Sequence, residues 1–163
     1  MKSTKHLFGI ALAAASLGWI TPAAADVALT TTAQKIEKFT APDGAVATRL
    51  IPAQKVLPGD DVRYTITFVN GGDKPVDAGT VVVTNPVPEH THYIADSAFG
   101  SGTTITYSVD GGRTFHPAAD LMVVRDGVKV PATAEDYTTI RWKFAPALAP
   151  AAQSFVSFNV RLD

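Results

Sequence analysis

Pro58-Gly59-Asp60-Asp61-Val62-Arg63-Tyr64-Thr65-Ile66-Thr67-Phe68-Val69-Asn70-Gly71-Gly72 is the stretch that decides the fold. Pro58 presets φ for the first central position of a turn, and Gly59 supplies a φ that other residues resist. Val62, Tyr64, Ile66 and Phe68 then alternate with Arg63, Thr65 and Thr67. That period of two places the apolar set on one face of a strand and the polar set on the other. Asn70-Gly71-Gly72 closes the run with residues that tolerate positive φ. A turn, a half-buried strand and a second turn make one lamina of a β-sandwich.

The same pattern continues on both sides. Downstream, Gly79 to Asn85 is a β-branched run typical of strands. Asn85-Pro86-Val87-Pro88 cannot begin a central strand, because each proline lacks a ladder donor, so a stiff crossover is expected there, leading into a short strand at Thr91 to Ala95. Ser97 to Gly102 reads as a loop. Thr103 to Val109 reads as a strand with Ile105, Tyr107 and Val109 on one side. Leu121–Val124 and Val128–Val130 flank Arg125-Asp126-Gly127 as a hairpin or a small insertion. Tyr137 to Phe144 alternates Ile140, Trp142 and Phe144 with Arg141 and Lys143, which places Trp142 in the core rather than on a sugar-binding surface. Phe155 to Leu162 turns Val156, Phe158, Val160 and Leu162 inward and Ser157, Asn159 and Arg161 outward.

Upstream, Val46 to Ile51 is a short strand stopped by Pro52. Val27 to Thr40 is Thr-rich and extended, read as a strand with a break and as the candidate for a mobile arm. No window past residue 25 shows helical spacing. About eight short strands between Gly, Pro, Asp and Asn turns define an all-β fold, an antiparallel β-sandwich used once without tandem copies.

The first residues form an address label. Lys2 and Lys5 precede an apolar run from Leu7 to Ile20, and Ala23-Ala24-Ala25 offers small residues for cleavage, the layout of a secretory signal peptide at residues 1–25. Gly9, Ser16 and Gly18 interrupt the run, which is too short for a comfortable membrane span. The domain division is thus a leader at 1–25, an extended N-terminal strand region at 26–52 and a sandwich at 53–163, with 26–163 one folded unit. Export to the periplasm or the extracellular surface is expected, with no membrane insertion of the mature chain.

The whole sequence of 163 residues carries a formal charge of −1, and losing Lys2 and Lys5 makes the remainder more acidic. No basic run remains to track a phosphate backbone, so nucleic acid is not an expected partner. There is no cysteine, which removes thiolate metal sites, disulfides and a cysteine nucleophile; a domain of this length can rest on its hydrophobic core instead.

The organising stretch with its preceding Leu57 resembles the opening signature of the domain-of-unknown-function family numbered eleven, a repeat of bacterial and archaeal surface proteins. Val81-Val82-Val83-Thr84-Asn85-Pro86-Val87-Pro88 is similar to that family's next element, and Thr91-His92-Tyr93-Ile94 to Ser97 to the segment after it. Ile140-Arg141-Trp142 and Val156-Ser157-Phe158 resemble its closing strands. The likeness covers Ala53 to Asp163, with Asn85 where the family usually has aspartate, and without the family's tandem repetition. It implies an immunoglobulin-like sandwich in envelope or extracellular structure and carries no catalytic residues.

Several groups invite a chemical reading. Ser108-Val109-Asp110-Gly111-Gly112-Arg113-Thr114-Phe115 matches the sialidase Asp-box pattern, itself a structural turn that repeats across propeller blades; one copy cannot build a propeller, so a side-chain-stabilised hairpin is expected. His90 and His92, at i and i+2, could share a metal with Glu89 or His116 as a third ligand, but two histidines beside prolines read more simply as a solvated loop. Asp60, Asp61, Asp73 and Asp77 lie near strand ends without an EF-hand series. Ser154, Asp136 and His116 could be written as a triad, yet no G-x-S-x-G elbow supports it. The sequence therefore assigns no catalytic, cofactor-binding or metal residues and no cofactor.

The expected function is a non-catalytic structural or adhesive module of the cell envelope or extracellular matrix. Its partners would be other envelope or extracellular proteins, itself included, met through β-edge pairing or donor-strand-like contacts of the Val27–Thr40 arm. Deleting that arm is expected to abolish assembly and leave a folded core. The alternative is a carbohydrate-binding module, which needs Tyr93, Phe99, Tyr137 or Trp142 exposed on one surface. A metal-dependent hydrolase, needing paired carboxylates or a closed ligand set, stands behind both.

Overall fold

The computed structural model describes residues 27–163, so the expected leader lies outside the described residues. Among them run eleven strands: β1 (Val27–Thr40), β2 (Val46–Pro52), β3 (Asp61–Asn70), β4 (Val82–Pro86), β5 (Thr91–Tyr93), β6 (Phe99–Gly100), β7 (Thr103–Ser108), β8 (Met122–Arg125), β9 (Val128–Pro131), β10 (Thr139–Phe144) and β11 (Gln153–Leu162). Two short 3₁₀ turns, Ala118–Asp120 and Ala134–Asp136, are the only helical pieces described. The wide sheet is ordered β2-β1-β3-β11-β5, with β6 also on β11; the narrow sheet is β4-β10-β7; β8 and β9 form a separate hairpin. Every ladder is antiparallel.

The two sheets meet through the residues that the alternation placed inward. Val62, Ile66 and Phe68 of β3 and Val156, Phe158 and Val160 of β11 are buried from the wide sheet, and Val83, Ile140, Trp142 and Phe144 from the narrow one. Phe68 meets Phe144 edge-on at 5.2 Å between ring centroids, and Trp142 lies 5.9 Å from Phe158. Each large side chain taken out of water this way contributes about 1.5–3 kcal/mol. The all-β, sandwich-like, antiparallel architecture read from the sequence is what the chain forms.

Local departures have physical causes. Val27–Thr40 is one unbroken strand of 14 residues. Its first part, Val27–Lys35, ladders on β3, and its last part, Gln34–Thr40, on β2. The expected break is absent because the strand changes neighbours without a proline or glycine to interrupt it. The candidate mobile arm is hydrogen-bonded into its own sheet along its length. Ser97–Gly102, expected as a loop, contains β6, because Gly100 lets the backbone come close to β11: a Cβ there would stand 2.9 Å from Val156 Cγ1. Ser157, expected outward, is buried where β6 runs beside it at Phe99. The β8–β9 turn is as read, with Asp126 and Gly127 at φ of 51° and 78°, the backbone of a type I′ hairpin.

Asn70 ends β3 with no exposed surface. Its Nδ2 donates to the carbonyls of Lys74 and Leu148 at 2.8 and 2.9 Å, and its Oδ1 accepts from the Gly72 N–H at 3.0 Å. The residue read as a turn former is also a clamp between the loop after β3 and the connector before β11.

Candidate functional site

The β1 end of the wide sheet and the β4 end of the narrow sheet share an open side of the molecule, and backbone bonding shows what faces it. Asn70 N–H donates to Ala152 C=O and Leu162 N–H to Asp60 C=O, so the even-numbered residues of β3 bond β11. The odd-numbered ones therefore bond β1, at Ala28, Thr30, Thr32 and Gln34. Val27, Leu29, Thr31 and Ala33 aim their N–H and C=O groups the other way. Among the described residues, β2 covers that edge only from Gln34 onward, which leaves a notch over Val27–Ala33 that no described strand pairs.

The narrow sheet ends similarly. Phe144 N–H donates to Val81 C=O and Val87 N–H to Thr138 C=O, so Val82, Thr84 and Pro86 point their backbone groups away from β10. Pro86 has no N–H, which blunts this edge after Thr84. Between the two edges lies an apolar groove of about 330 Å³, lined by Val27, Leu29, Val76, Val81, Val82 and Val83. Leu29 is 56% exposed and Val82 48%.

The groups singled out for chemistry are built into the scaffold. Asp110 caps its turn: its carboxylate accepts from Ser108 Oγ at 2.6 Å, from the Arg113 and Thr114 N–H groups at 3.0 Å and from Thr114 Oγ1 at 2.7 Å. These bonds, the one from Ser108 first, hold its carboxyl well below the usual carboxylate range. Gly111 N–H reaches Thr138 Oγ1 at 3.0 Å, and Arg141 lies 3.5 Å over the Phe115 ring. The Asp-box match is a pinned hairpin.

His90 precedes β5 at a φ of 58°, so strand alternation does not put it beside His92. His92 Nδ1 lies 3.0 Å from Asp163 Oδ1. Glu89 and His116 are exposed, and among the described residues no group of three or more His, Cys, Asp or Glu could hold a metal ion. Asp60 is bonded to Lys35 at 2.6 Å and Asp61 to Arg161 at 2.6 Å. The Lys35 ammonium, followed by the Leu57 N–H, lowers the Asp60 carboxyl, and Asp61 raises the Arg161 guanidinium. These paired charges line a polar cleft of about 300 Å³, while Asp73 and Asp77 sit on exposed loops.

The written triad does not assemble. The Asp136 carboxylate is held by Arg125 at 2.7 Å and by the Thr133 N–H at 2.6 Å, and no hydrogen bond among the described residues joins it to His116 or Ser154. Tyr93, Tyr137 and Trp142 are buried, which leaves Phe99 alone of the four sugar-platform candidates at the surface, 5.9 Å from the exposed Phe155. Tyr93, Tyr107 and Tyr137 cluster at one end of the fold, Tyr107 stacked on Tyr137 at 4.5 Å and Tyr93 tilted against both. Burial there, aided by the Tyr93 hydroxyl, pushes the Tyr107 phenol well above its usual range.

Sequence reasoning missed the notch and groove. The available signal was the run Val27–Ala33, which carries no charge and no proline, the two devices that usually protect an edge.

Comparison with family models, with curated proteins and with solved structures found no match. The chain is described by its own class: an antiparallel, sandwich-like all-β protein with one open side. No helix among the described residues is long and apolar enough to cross a membrane.

Proposed function

We propose that this protein is an exported, non-catalytic structural or adhesive module of the cell envelope or extracellular matrix, immunoglobulin-like in fold, that works through contacts with other proteins. The observation that carries this reading is the open side, where two strand edges and an apolar groove lie together at the surface. Bare edges template pairing with another chain. The reading is supported also by the employment of Asp60, Asp61, Asp110 and Asp136 in structural bonds. The leader expected at residues 1–25 and the resemblance to surface-protein repeats supply the export and envelope parts.

Fractionation of the native cell, with capture of partners by the tagged mature chain, tests the reading. The expected result is recovery from the exported fraction and binding that is lost when Val82→Lys and Leu29→Lys charge the open side. Recovery only from the cytoplasm, or turnover of a substrate by the purified chain, overturns it. One observation favours a second reading, a carbohydrate-binding module: Phe99 and Phe155 form an exposed aromatic pair on the wide sheet. A glycan array with a hit that Phe99→Ala abolishes would establish that reading in place of the first.

A further inference from the structure

We propose that the notch in the wide sheet pairs with the same notch of a second copy, joining two wide sheets into one through β1 against β1. This rests on the protein–protein reading above and names the partner.

The backbone of β1 is self-complementary. Among the described residues, Val27, Leu29, Thr31 and Ala33 have no strand paired to them on that edge. An antiparallel two-fold centred on Thr30 sets Val27 against Ala33 of the second copy and Leu29 against its Thr31. All four edge-facing residues on each chain then find partners, with about eight new hydrogen bonds across the pair. The side chains agree. Val27–Ala33 contains no Lys, Arg, Asp, Glu, Pro or Gly, so nothing repels and nothing blocks a donor. Leu29 lies beside the partner's Thr31 on the groove side, and Thr30 faces its own copy on the outer side.

The flanks determine the register. β2 begins its ladder at Gln34 and Lys35, which bounds the notch at one end. Pro52 already lies opposite Gln34 and Ile51 opposite Lys35, so in the two-fold register the paired segment runs from Val27 to Ala33 and ends there.

The other edge is a poorer candidate. β4 offers two complete residues, Val82 and Thr84, before Pro86 removes a donor. The notch offers four in a row.

The interface is small, below about 1,000 Å², so a dissociation constant on the order of 10–100 μM is expected. The chain has no cysteine, which makes Thr30→Cys a clean reporter. Thr30 would face its symmetry mate as a non-hydrogen-bonded pair at a Cα separation of about 4.5 Å, within disulfide range. Under mild oxidation the exported protein bearing Thr30→Cys should become a disulfide dimer at least tenfold faster than one bearing Val46→Cys, which is 75% exposed on β2. Thr31→Pro removes a donor that β1 does not use in its own sheet. Sedimentation should then show a monomer at concentrations where the parent dimerises, with an unchanged near-ultraviolet circular dichroism spectrum.

Equal cross-linking of the two cysteine variants, or sedimentation indifferent to Thr31→Pro, overturns the proposal. A monomer that still captures another envelope protein overturns the pairing with itself and leaves the broader reading standing. A dimer that turns over a substrate does the reverse.

Discussion

Asn70 shows most sharply how one side chain holds this fold. It donates to two carbonyls and accepts one N–H while wholly buried. Asn70→Ala leaves the buried Leu148 carbonyl without its partner and the part-buried Lys74 carbonyl and Gly72 N–H without theirs; an unmet buried group costs about 1–3 kcal/mol. The expected loss is about 2–4 kcal/mol, read as a fall in the urea midpoint with the slope unchanged. Asp110 acts differently, through charge. Its bonds favour the carboxylate in the folded chain, so its folded pKa lies below its unfolded one. The stability it contributes is complete above the ordinary carboxylate range, about pH 4, and drains away as pH falls below that. Asp60 and Asp136, also lowered, act in the same direction. The melting temperature should fall steeply below about pH 4, and Asp110→Asn should lower it at neutral pH and flatten the acid limb. An acid limb identical in the variant would assign it to other groups.

Among the elements, the β1–β2 hairpin stands apart. The fully buried core draws no residue from Val27–Pro52, and only Val27 of the hairpin packs against it. The hairpin adds ladder to β3 but little interior. A chain lacking residues 27–52 is therefore expected to keep its buried aromatic contacts and near-ultraviolet signal, with a lower melting temperature because the β3 edge is newly bare. Loss of that signal would show that the hairpin is needed for the fold itself. β6 depends on one glycine. Gly100→Val places branched carbon against Thr103 and Val156, where even a Cβ approaches within 2.6 Å of Thr103 Oγ1. It should cost about 1–3 kcal/mol through overpacking, measured by denaturant titration, and release Phe99 from β11.

At the scale of the whole molecule, legibility in the sequence followed the range of the interaction that sets each feature. β3, β10 and β11 were readable because burial on one face writes a period of two into the chain. The Asp110 turn and the Asp126-Gly127 hairpin were readable because turn chemistry is local. β6 was not, since two residues have no period and their pairing depends on contact with β11, far along the chain. The continuous β1 was read as broken because exposure on both faces erases alternation at its Thr-rich start. The open side was invisible for a related reason: an unpaired edge is a fact about which strands are neighbours. The spacing of His90 and His92 implies one side of a strand, and the positive φ at His90 removes that geometry.

One buried ring gives the protein a built-in reporter. The chain has two tryptophans, Trp19 and Trp142, and cutting the expected leader discards the first. The remaining indole has no exposed surface, and its Nε1 is the one buried side-chain polar atom among the described residues without a partner. Light absorbed there should be re-emitted towards the violet, as from a hydrocarbon glass, and shift to longer wavelength only when water floods the space between the layers. A single colour change would then record the separation of the two sheets, with no label attached.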